Sequence, residues 1–252
     1  SMRELLFLAP GRLRWREMAV PHILAQSDAL VRPIAATTCD LDRLIIRGEA
    51  PFRGPFAIGH ECVAEVVAVG EAVTGFRPGD RVVVNWHISC GSCHHCTTRR
   101  PNACLTHQPG AMYGLPGLGD WGGMFSDLLR VVEADVALTP LPAGVDPAIV
   151  ASAGDNIPFG WEFTIPHLAE TPGAEVLVMG GCGSIALYAV MFARAGGAAR
   201  VEYRDTDRGR LEIAARYGAD VVEGPPPRRA GEFPIVVDAS ADEAALKCAL
   251  RS

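Results

Sequence analysis

Four cysteines lie close together in the segment CGSCHHCTTRRPNAC. Cys90, Cys93, Cys96 and Cys104 follow a C-x2-C-x2-C-x7-C spacing. Thiolates at this spacing can converge on one tetrahedral ion, and Gly91 permits the tight turn that this requires. Four sulfur ligands leave no coordination position for water, so we predict a structural zinc at this lobe. Reduced free thiols and an iron–sulfur cluster are the alternatives.

A glycine-rich loop in EVLVMGGCGSIALYAV follows an apolar run and precedes a helical pattern. Gly181, Gly183 and Ala186 form a G-x-G-x-x-A pattern, which in this context is typical of a dinucleotide-binding loop. The pyrophosphate of a dinucleotide would lie at the helix N-terminus, where backbone N–H groups are available. Gly180 adds another glycine, so a register shifted by one residue is the alternative.

Asp205 ends the next predicted strand, 22 residues after Gly183. A carboxylate at this distance can accept a hydrogen bond from the 2′-hydroxyl of an adenosine ribose, so NAD is the expected cofactor. Arg204 and Arg208 flank this carboxylate and could bind a 2′-phosphate, which makes NADP the alternative. Asp205 could also be an ordinary loop acid or cap the next helix.

The chain has two halves with different sequence patterns, and we place domains at residues 1–160 and 161–252. Up to about residue 141, short apolar runs and turn residues indicate an all-β, barrel-like unit, with predicted strands at 63–70, 81–86 and 125–131. From about residue 150, strands alternate with helices, which predicts βαβ units and a parallel sheet. The predicted strands of this half lie at 175–180, 199–204, 219–224 and 233–240, and its helices at 184–196, 208–218 and from 241 onward.

Three motifs occur in a characteristic order: GHECVAEVVAVGEAVTGFRPGDRV at 59–82, the four-cysteine lobe, and the strand–glycine loop–helix unit. In these motifs the sequence resembles the zinc-dependent medium-chain alcohol dehydrogenase superfamily over nearly its full length. The resemblance implies an α/β protein in which a GroES-like catalytic domain precedes a Rossmann doubly wound parallel sheet. It also implies an oxidoreductase that transfers a hydride between an alcohol, polyol or sugar hydroxyl and NAD(P).

The resemblance further implies a catalytic zinc, in addition to the structural one. Its matching ligands are Cys39 and His60, and we propose Asp155 in AGDN as the third. Three protein ligands with one open position are typical of a catalytic zinc. Considered singly, Cys39 would be a buried thiol, His60 a core histidine, and Asp155 a helix cap.

Two acidic residues beside these ligands are candidates for the same site. By the resemblance, Glu61 lies near the metal and could replace a ligand when water exchanges. Asp42 matches the family's acid three residues after the first cysteine, and its expected role is to accept the other imidazole N–H of His60. Many family members relay the alcohol proton through Ser or Thr where this chain has Leu41, so a route through water or a cofactor hydroxyl remains open.

Composition limits the remaining classes of function. The formal net charge of −6 gives no electrostatic reason to expect nucleic-acid binding, and no apolar run is long enough to span a bilayer. We therefore expect a cytoplasmic protein with a small-molecule substrate and no membrane partner. In that compartment the eight cysteines would be reduced, which favours metal binding by a tight cluster. The family resemblance also implies a homo-oligomer.

The predicted Rossmann sheet is partial. We count four strands where a full sheet has six, and the sequence ends inside the helix after the fourth, so a C-terminally shortened form is expected. The alternative function is a non-catalytic or truncated homologue that acts as a binding or interaction protein. A redox-sensitive thiol protein that uses the cysteine cluster is a third hypothesis.

Overall fold

The chain forms two compact units, Ser1–Asp155 and Asn156–Ser252. They are seen in a computed structural model that describes residues 1–116 and 119–252. The sheets of the first unit are antiparallel, and the sheet of the second is parallel with helices between its strands. This confirms the predicted fold class, a β-barrel-like domain followed by a partial Rossmann sheet. The predicted domain boundary at residue 160 falls inside the first helix of the second unit.

A five-stranded antiparallel sheet forms the centre of the first unit. Its strands are arranged in the order β7-β3-β5-β6-β8. Their bounds are β3 Ala29–Thr37, β5 Glu61–Val69, β6 Arg81–Val84, β7 Leu129–Val131 and β8 Leu138–Pro140. Alternate side chains of β5, such as Cys62, Ala64 and Val66, are buried in one apolar core, as expected for strands with one covered face. Thr37 pairs with Glu61, so the residues that follow β3 and precede β5 lie side by side.

A smaller sheet, in the order β2-β1-β4, covers a second apolar cluster. Its strands are β1 Met2–Ala9, β2 Arg12–Met18 and β4 Phe56–Ala57. Helix α1, Asp40–Arg47, packs Ile45 against Phe7 and Ile58, and all three side chains are almost fully buried. Burial of side chains of this size contributes about 1.5–3 kcal/mol each. This cluster therefore fixes the helix that follows Cys39.

Short elements complete the first unit: helix α2 His94–Thr97, a 3-10 turn at Pro101–Ala103 and helix α3 Ala134–Ala137. The predicted strand at 125–131 is wrong in its extent, because only Leu129–Val131 is a strand. The reason lies at Asp127, whose carboxylate accepts from the backbone N–H of Arg3 at 2.8 Å. A side chain thus takes the place of a ladder hydrogen bond there, and only an isolated bridge between Glu4 and Ser126 continues the pairing.

The second unit is a four-stranded parallel sheet in the order β11-β10-β9-β12. Its strands are β9 Val176–Met179, β10 Val201–Asp205, β11 Asp220–Glu223 and β12 Ile235–Asp238. All four residues of β9 are buried, as expected for a central strand covered on both faces. The strand order changes direction beside β9, and ligands of open α/β sheets bind at the carboxyl end of such a position.

Five helices accompany this parallel sheet: two precede β9, one follows each of β9 and β10, and one follows β12, whereas the described residues 224–234 join β11 to β12 without a helix. The helices are α4 Asn156–Glu162, α5 Ile165–Glu170, α6 Ser184–Ala195, α7 Arg208–Arg216 and α8 Glu243–Ala249. Helix α6 buries Ala186, Ala189, Val190 and Ala193, and these small residues allow close packing on the sheet. Within the described ranges, no helix combines the length and the apolar character needed to cross a membrane.

Candidate metal and dinucleotide sites

Cys39 is held at the N-terminus of α1 by a capping box. Its backbone is extended, its Sγ accepts from the N–H of Leu41 at 3.4 Å, and Asp42 Oδ2 accepts from the N–H of Cys39 at 3.0 Å. Such reciprocal caps satisfy N–H groups that the helix leaves unpaired. The thiol is therefore fixed in position by the same interactions that start the helix.

His60 immediately precedes β5 and is 2% exposed. The preceding Gly59 has φ +103°, and a Cβ there would lie 2.5 Å from the ring of Phe125. Only glycine tolerates both this positive φ and the close approach of the ring. The chain can therefore turn into β5 with the imidazole directed inward. On one side, His60 Nδ1 lies 3.5 Å from Asp42 Oδ1. On the other side, His60 Nε2 lies 3.3 Å from Asp155 Oδ2.

The structure brings Cys39, His60 and Asp155 together in one buried group. One ligand atom from each lies within 4.8 Å of the others. Asp155 ends a turn in which its N–H donates to the carbonyl of Ser152 at 3.1 Å. Sulfur, nitrogen and oxygen donors in this number suit a zinc ion that keeps one position open. The three residues that the sequence selected are thus neighbours in space.

The charges around this group favour a bound cation. Burial raises the pKa of the Cys39 thiol, and the neighbouring Asp155 carboxylate raises it further. Burial also raises the pKa of Asp42, against the opposing effect of His60. For His60, burial lowers the pKa, but Asp155, Asp42 and Glu61 outweigh it and raise the pKa overall. Several acidic groups therefore surround one imidazole in a buried space, and a divalent cation would relieve their repulsion.

The four lobe cysteines also converge, with their sulfur atoms all within 4.8 Å of one another. Sγ of Cys90 and Sγ of Cys96 are 3.9 Å apart, close to the ~3.8 Å edge of a tetrahedron with Zn–S bonds of ~2.3 Å. The lobe is built from α2, which contains Cys96, and the 3-10 turn, which ends just before Cys104. This geometry suits a closed site with four sulfur ligands.

Hydrogen bonds to sulfur favour the thiolate form at part of the lobe. Thr106 Oγ1 donates to Cys90 Sγ at 3.2 Å, and the N–H of Cys93 donates to the same atom at 3.3 Å. The hydrogen bond from Thr106 is the main reason that the pKa of Cys90 falls to about 5. Burial instead raises the pKa of Cys96 to about 12. A thiolate is the form that ligates metal, so Cys90 is prepared for binding.

In the second unit, the glycine loop joins β9 to α6. Gly181 has φ +136°, a region that favours glycine, and Gly183 is the N-cap of α6. Ala186 is fully buried in the first turn of that helix. A cavity of about 240 Å³ lies beside the loop. It is lined by Met179, Gly180, Gly181, Arg204, Asp205, Thr206, Gly224, Pro225, Pro226, Ser240, Asp242 and Ala245.

Asp205 lies at the carboxyl end of β10 and already has several hydrogen-bond partners. Oδ2 accepts from Tyr203 Oη at 2.6 Å and from Arg210 Nε at 2.7 Å. Oδ1 accepts from a second guanidinium nitrogen of Arg210 at 2.8 Å and from the N–H groups of Thr206 and Asp207. Burial acts to raise the pKa of Asp205, but the hydrogen bonds from Arg210 and Tyr203 lower it overall. The carboxylate is therefore ionised and fixed in orientation.

The two arginines that flank Asp205 in the sequence point to other partners. Arg204 Nε donates to Glu202 at 2.6 Å, and Arg208 Nε donates to Glu223 at 3.0 Å. Both are ion pairs within the second unit. Neither arginine contacts the Asp205 carboxylate in the hydrogen bonds described above.

Three further residues, which were not selected from the sequence, join these sites. Arg210 and Tyr203 hold Asp205, and Ser152 Oγ donates to Glu61 Oε1 at 2.8 Å beside the Cys39 group. Serine and tyrosine are common in cores and loops, so their type alone predicts no role. The opposite charges of Asp205 and Arg210, five residues apart, are the one feature from which a pair could have been predicted.

Comparison with known proteins identifies the family. Residues 25–143 match the model of the alcohol dehydrogenase GroES-like domain. A probable zinc-binding alcohol dehydrogenase of Mycobacterium tuberculosis is 32% identical over 224 residues, which cover 89% of this chain but only 56% of that relative. A medium chain reductase/dehydrogenase of Acremonium sp is 31% identical, with 90% of this chain and 78% of the relative covered.

A solved structure gives the same assignment. The alcohol dehydrogenase TADH from Thermus sp. ATN1 superimposes with a TM-score of 0.84 at 30% identity, covering 99% of this chain and 73% of that one. The predicted GroES-like domain and the predicted resemblance are therefore confirmed. The chain belongs to the zinc-dependent medium-chain alcohol dehydrogenase superfamily.

Proposed function

We propose that this chain carries the zinc and dinucleotide sites of a dehydrogenase that transfers a hydride between an alcohol, polyol or sugar hydroxyl and NAD(P). The observation that carries the proposal is the buried group of Cys39, His60 and Asp155, whose ligand atoms lie within 4.8 Å of one another. Family membership supports the same reaction class.

The residues around the proposed catalytic metal have distinct tasks. Cys39 and Asp155 supply negative charge, and His60 supplies Nε2, the nitrogen nearer to Asp155. Asp42 would accept from His60 Nδ1 and so hold the imidazole in the tautomer that ligates. A zinc ion bound here would act as a Lewis acid that lowers the pKa of an alcohol hydroxyl.

The lobe of Cys90, Cys93, Cys96 and Cys104 would hold a second, structural zinc. Four sulfur ligands fill a tetrahedral shell, so this ion would have no position for substrate. The lobe has little regular structure, since α2 has four residues and the neighbouring 3-10 turn has three. Its proposed contribution is therefore to stability and not to the reaction.

For the dinucleotide, the loop of Gly181 and Gly183 would receive the pyrophosphate at the N-terminus of α6. Asp205 would face the adenosine ribose from the neighbouring strand. NAD is favoured over NADP because Arg204 and Arg208 are engaged by Glu202 and Glu223, so that a 2′-phosphate would have to break these ion pairs. It would also approach the ionised Asp205 carboxylate.

The proposal also includes the route by which the proton of the alcohol hydroxyl leaves the site. Leu41 stands where many family members have a hydroxyl side chain, and it packs against the apolar cluster around Ile45. An apolar side chain cannot relay a proton. We therefore propose that the alcohol proton leaves through water or a hydroxyl of the bound cofactor.

Metal analysis combined with cofactor titration tests the proposal without a known substrate. Fluorescence titration of the zinc-loaded chain with NADH should show saturable binding, stronger than that of NADPH. His60→Ala should lose one metal ion and retain NADH binding. A chain that holds only the lobe metal, or binds neither dinucleotide, would instead support the non-catalytic binding protein.

A further inference from the structure

A buried side-chain amide reaches the first residue of α6. Asn156 Nδ2 donates to Ser184 Oγ at 2.9 Å, although the two residues are 28 positions apart in the chain. Asn156 is fully buried and is the first residue of α4, whereas Ser184 directly follows the N-cap Gly183. Because a buried amide that loses its partner is costly, this contact ties the start of α6 to α4.

Helix α4 is a firm base for this contact. One turn beyond Asn156, the same faces of the two helices meet at Gly160 and Tyr188. A Cβ on Gly160 would lie 2.5 Å from Cβ and 2.8 Å from the carbonyl carbon of Tyr188, so α4 and α6 are packed too closely there for a larger residue. The carbonyl of Gly160 also accepts from the buried Thr164 Oγ1 at 2.7 Å. Asn156 therefore cannot shift without moving packed backbone.

The loop that leads from β9 to Ser184 is rich in glycine, at positions 180, 181 and 183. Gly181 has φ +136°, and the N-cap Gly183 has no side chain with which to hold the first turn of α6. Glycine loses more conformational freedom than any other residue when it is fixed. A loop that is ordered before its ligand arrives binds that ligand more tightly, because binding no longer has to order it. The contact from Asn156 supplies part of this order.

We propose that Asn156 is the positioning residue that holds Ser184, and with it the glycine loop, in the arrangement that receives the pyrophosphate of a dinucleotide. The adenosine ribose is expected at Asp205, whose side-chain partners Tyr203 and Arg210 lie in β10 and α7 and not in α4. Affinity for the diphosphate part of a ligand therefore depends on Asn156, and affinity for the adenosine part does not. This inference rests on the proposed dinucleotide site and adds a residue from outside the glycine motif.

Asn156→Leu tests this dependence, because leucine is similar in size and has no hydrogen-bond donor. In the zinc-loaded full chain we expect the Kd values for NADH and for ADP-ribose to rise about three- to tenfold, the range that one hydrogen bond provides. The Kd for adenosine, measured by competition with NADH, should not change. Thr164→Val is the matched control, because it removes a buried hydroxyl that donates to carbonyls of α4, and all three Kd values should stay at the wild-type level.

A second variant removes the same hydrogen bond from the loop side. Ser184→Ala places a good helix former in the first turn of α6 and should keep the fold. It should weaken binding of NADH and ADP-ribose at least as much as Asn156→Leu, which should cause no further loss in the Ser184→Ala background. Ser184→Thr keeps the hydroxyl and should bind like the wild type. Without NADH, hydrogen exchange of residues 181–186 should be faster in Asn156→Leu, and saturating NADH should remove the difference.

The outcomes separate this inference from the proposed function. A wild-type chain that binds neither NADH nor ADP-ribose would overturn both. Wild-type affinity for NADH in Asn156→Leu and in Ser184→Ala would overturn the role of Asn156 alone. An equal loss of adenosine affinity would also overturn it, because the amide would then support the whole unit and not the glycine loop. A further loss when Asn156→Leu is added to Ser184→Ala would do the same, since the amide would not act through Ser184.

Discussion

At the scale of single residues, Asp42 contacts both the N-terminus of α1 and the imidazole of His60. One carboxylate oxygen accepts from the N–H of Cys39 and caps α1, and the other lies 3.5 Å from His60 Nδ1. Asp42 is fully buried, so its charge is not screened by solvent. One side chain thus positions two of the proposed ligands, through a backbone contact to the first and an imidazole contact to the second.

Replacing Asp42 by Asn should weaken zinc binding at the proposed catalytic site by about 10–100-fold. The amide oxygen can still cap the helix, but the negative charge beside the imidazole is lost. Competition with a chelator, followed by metal analysis, measures the effect. Asp146→Asn is the control, since that carboxylate caps an exposed turn at Ala148. Equal zinc affinity in both variants would refute the role of Asp42.

Zinc affinity at this site should fall as the solution is acidified. Burial and Asp155 raise the pKa of Cys39, and the neighbouring carboxylates raise the pKa of His60. Both groups therefore keep their protons to higher pH than free side chains do, and both must lose them to bind zinc. Titrations from about pH 8 down to about pH 6 should show weaker binding at each step. Affinity that is independent of pH would contradict this assignment.

Spacing predicted the four cysteine ligands of the lobe, because metal chemistry needs thiolates close together in the chain. The family resemblance implied Cys39 and His60, with Asp155 proposed as the third ligand, and neither source predicted the surroundings of these residues. The contacts of Ser152 with Glu61 and of Arg210 with Asp205 depend on how distant or neighbouring segments pack. From the sequence, the Asp205 carboxylate is predicted to accept a hydrogen bond from a ribose hydroxyl. In the structure it already accepts five hydrogen bonds from other groups of the chain.

At the scale of elements, the four-cysteine lobe has little regular structure of its own and would depend on a bound metal. A four-residue helix and a 3-10 turn are too short to be stable in isolation. Arg99 has φ +61°, a conformation that is unfavourable for an arginine and must be held by its surroundings. The described lobe residues thus form a structure that four sulfur–metal bonds would hold together.

Removal of zinc should therefore open the lobe to trypsin after Arg99, whereas the bond after Arg100 precedes Pro101 and resists trypsin. Arg99 is exposed, so the limiting factor for cleavage is the local structure and not access. Limited digestion with mass spectrometry, before and after chelation, measures the change. Cleavage at Arg228 and Arg229, in an exposed loop of the second unit, is the internal control. Equal cleavage at Arg99 with and without zinc would count against a structural metal.

The residue after β9, Gly180, packs closely against the Tyr203 side chain of β10. A Cβ on Gly180 would lie 2.2 Å from the hydroxyl of Tyr203 and 2.5 Å from Asp205 Oδ2. We expect Gly180→Ala to lower the free energy of unfolding by at least about 2 kcal/mol, because the buried ring has no space to move. The measurement is urea unfolding.

A double-mutant cycle tests the cause. In the Tyr203→Ala background the ring is absent, so the added methyl of Gly180→Ala should cost less, and the part that remains would come from its close approach to Asp205 Oδ2. Equal costs of Gly180→Ala in both backgrounds would show that Tyr203 is not the constraint.

At the scale of the whole molecule, the pattern of elements determined the fold class. Strands followed directly by turns formed antiparallel sheets in Ser1–Asp155, and strands separated by helices formed the parallel sheet in Asn156–Ser252. The predicted extent of β7 was wrong because the Asp127 side chain accepts a hydrogen bond from the backbone of Arg3 and so interrupts the ladder of backbone hydrogen bonds. No local sequence pattern encodes this contact. The periodicity of apolar residues indicates which side chains are buried, whereas the ends of a strand depend on individual hydrogen bonds.

We propose that Cys39, His60 and Asp155 bind a metal separate from that of the four-cysteine lobe. Inductively coupled plasma mass spectrometry of the purified chain, with His60→Ala and Cys93→Ser beside the wild type, counts the bound metal ions. We expect two zinc ions per wild-type chain, from the two ligand groups, and one in each variant. One zinc in the wild type that is unaffected by His60→Ala and lost in Cys93→Ser would contradict it.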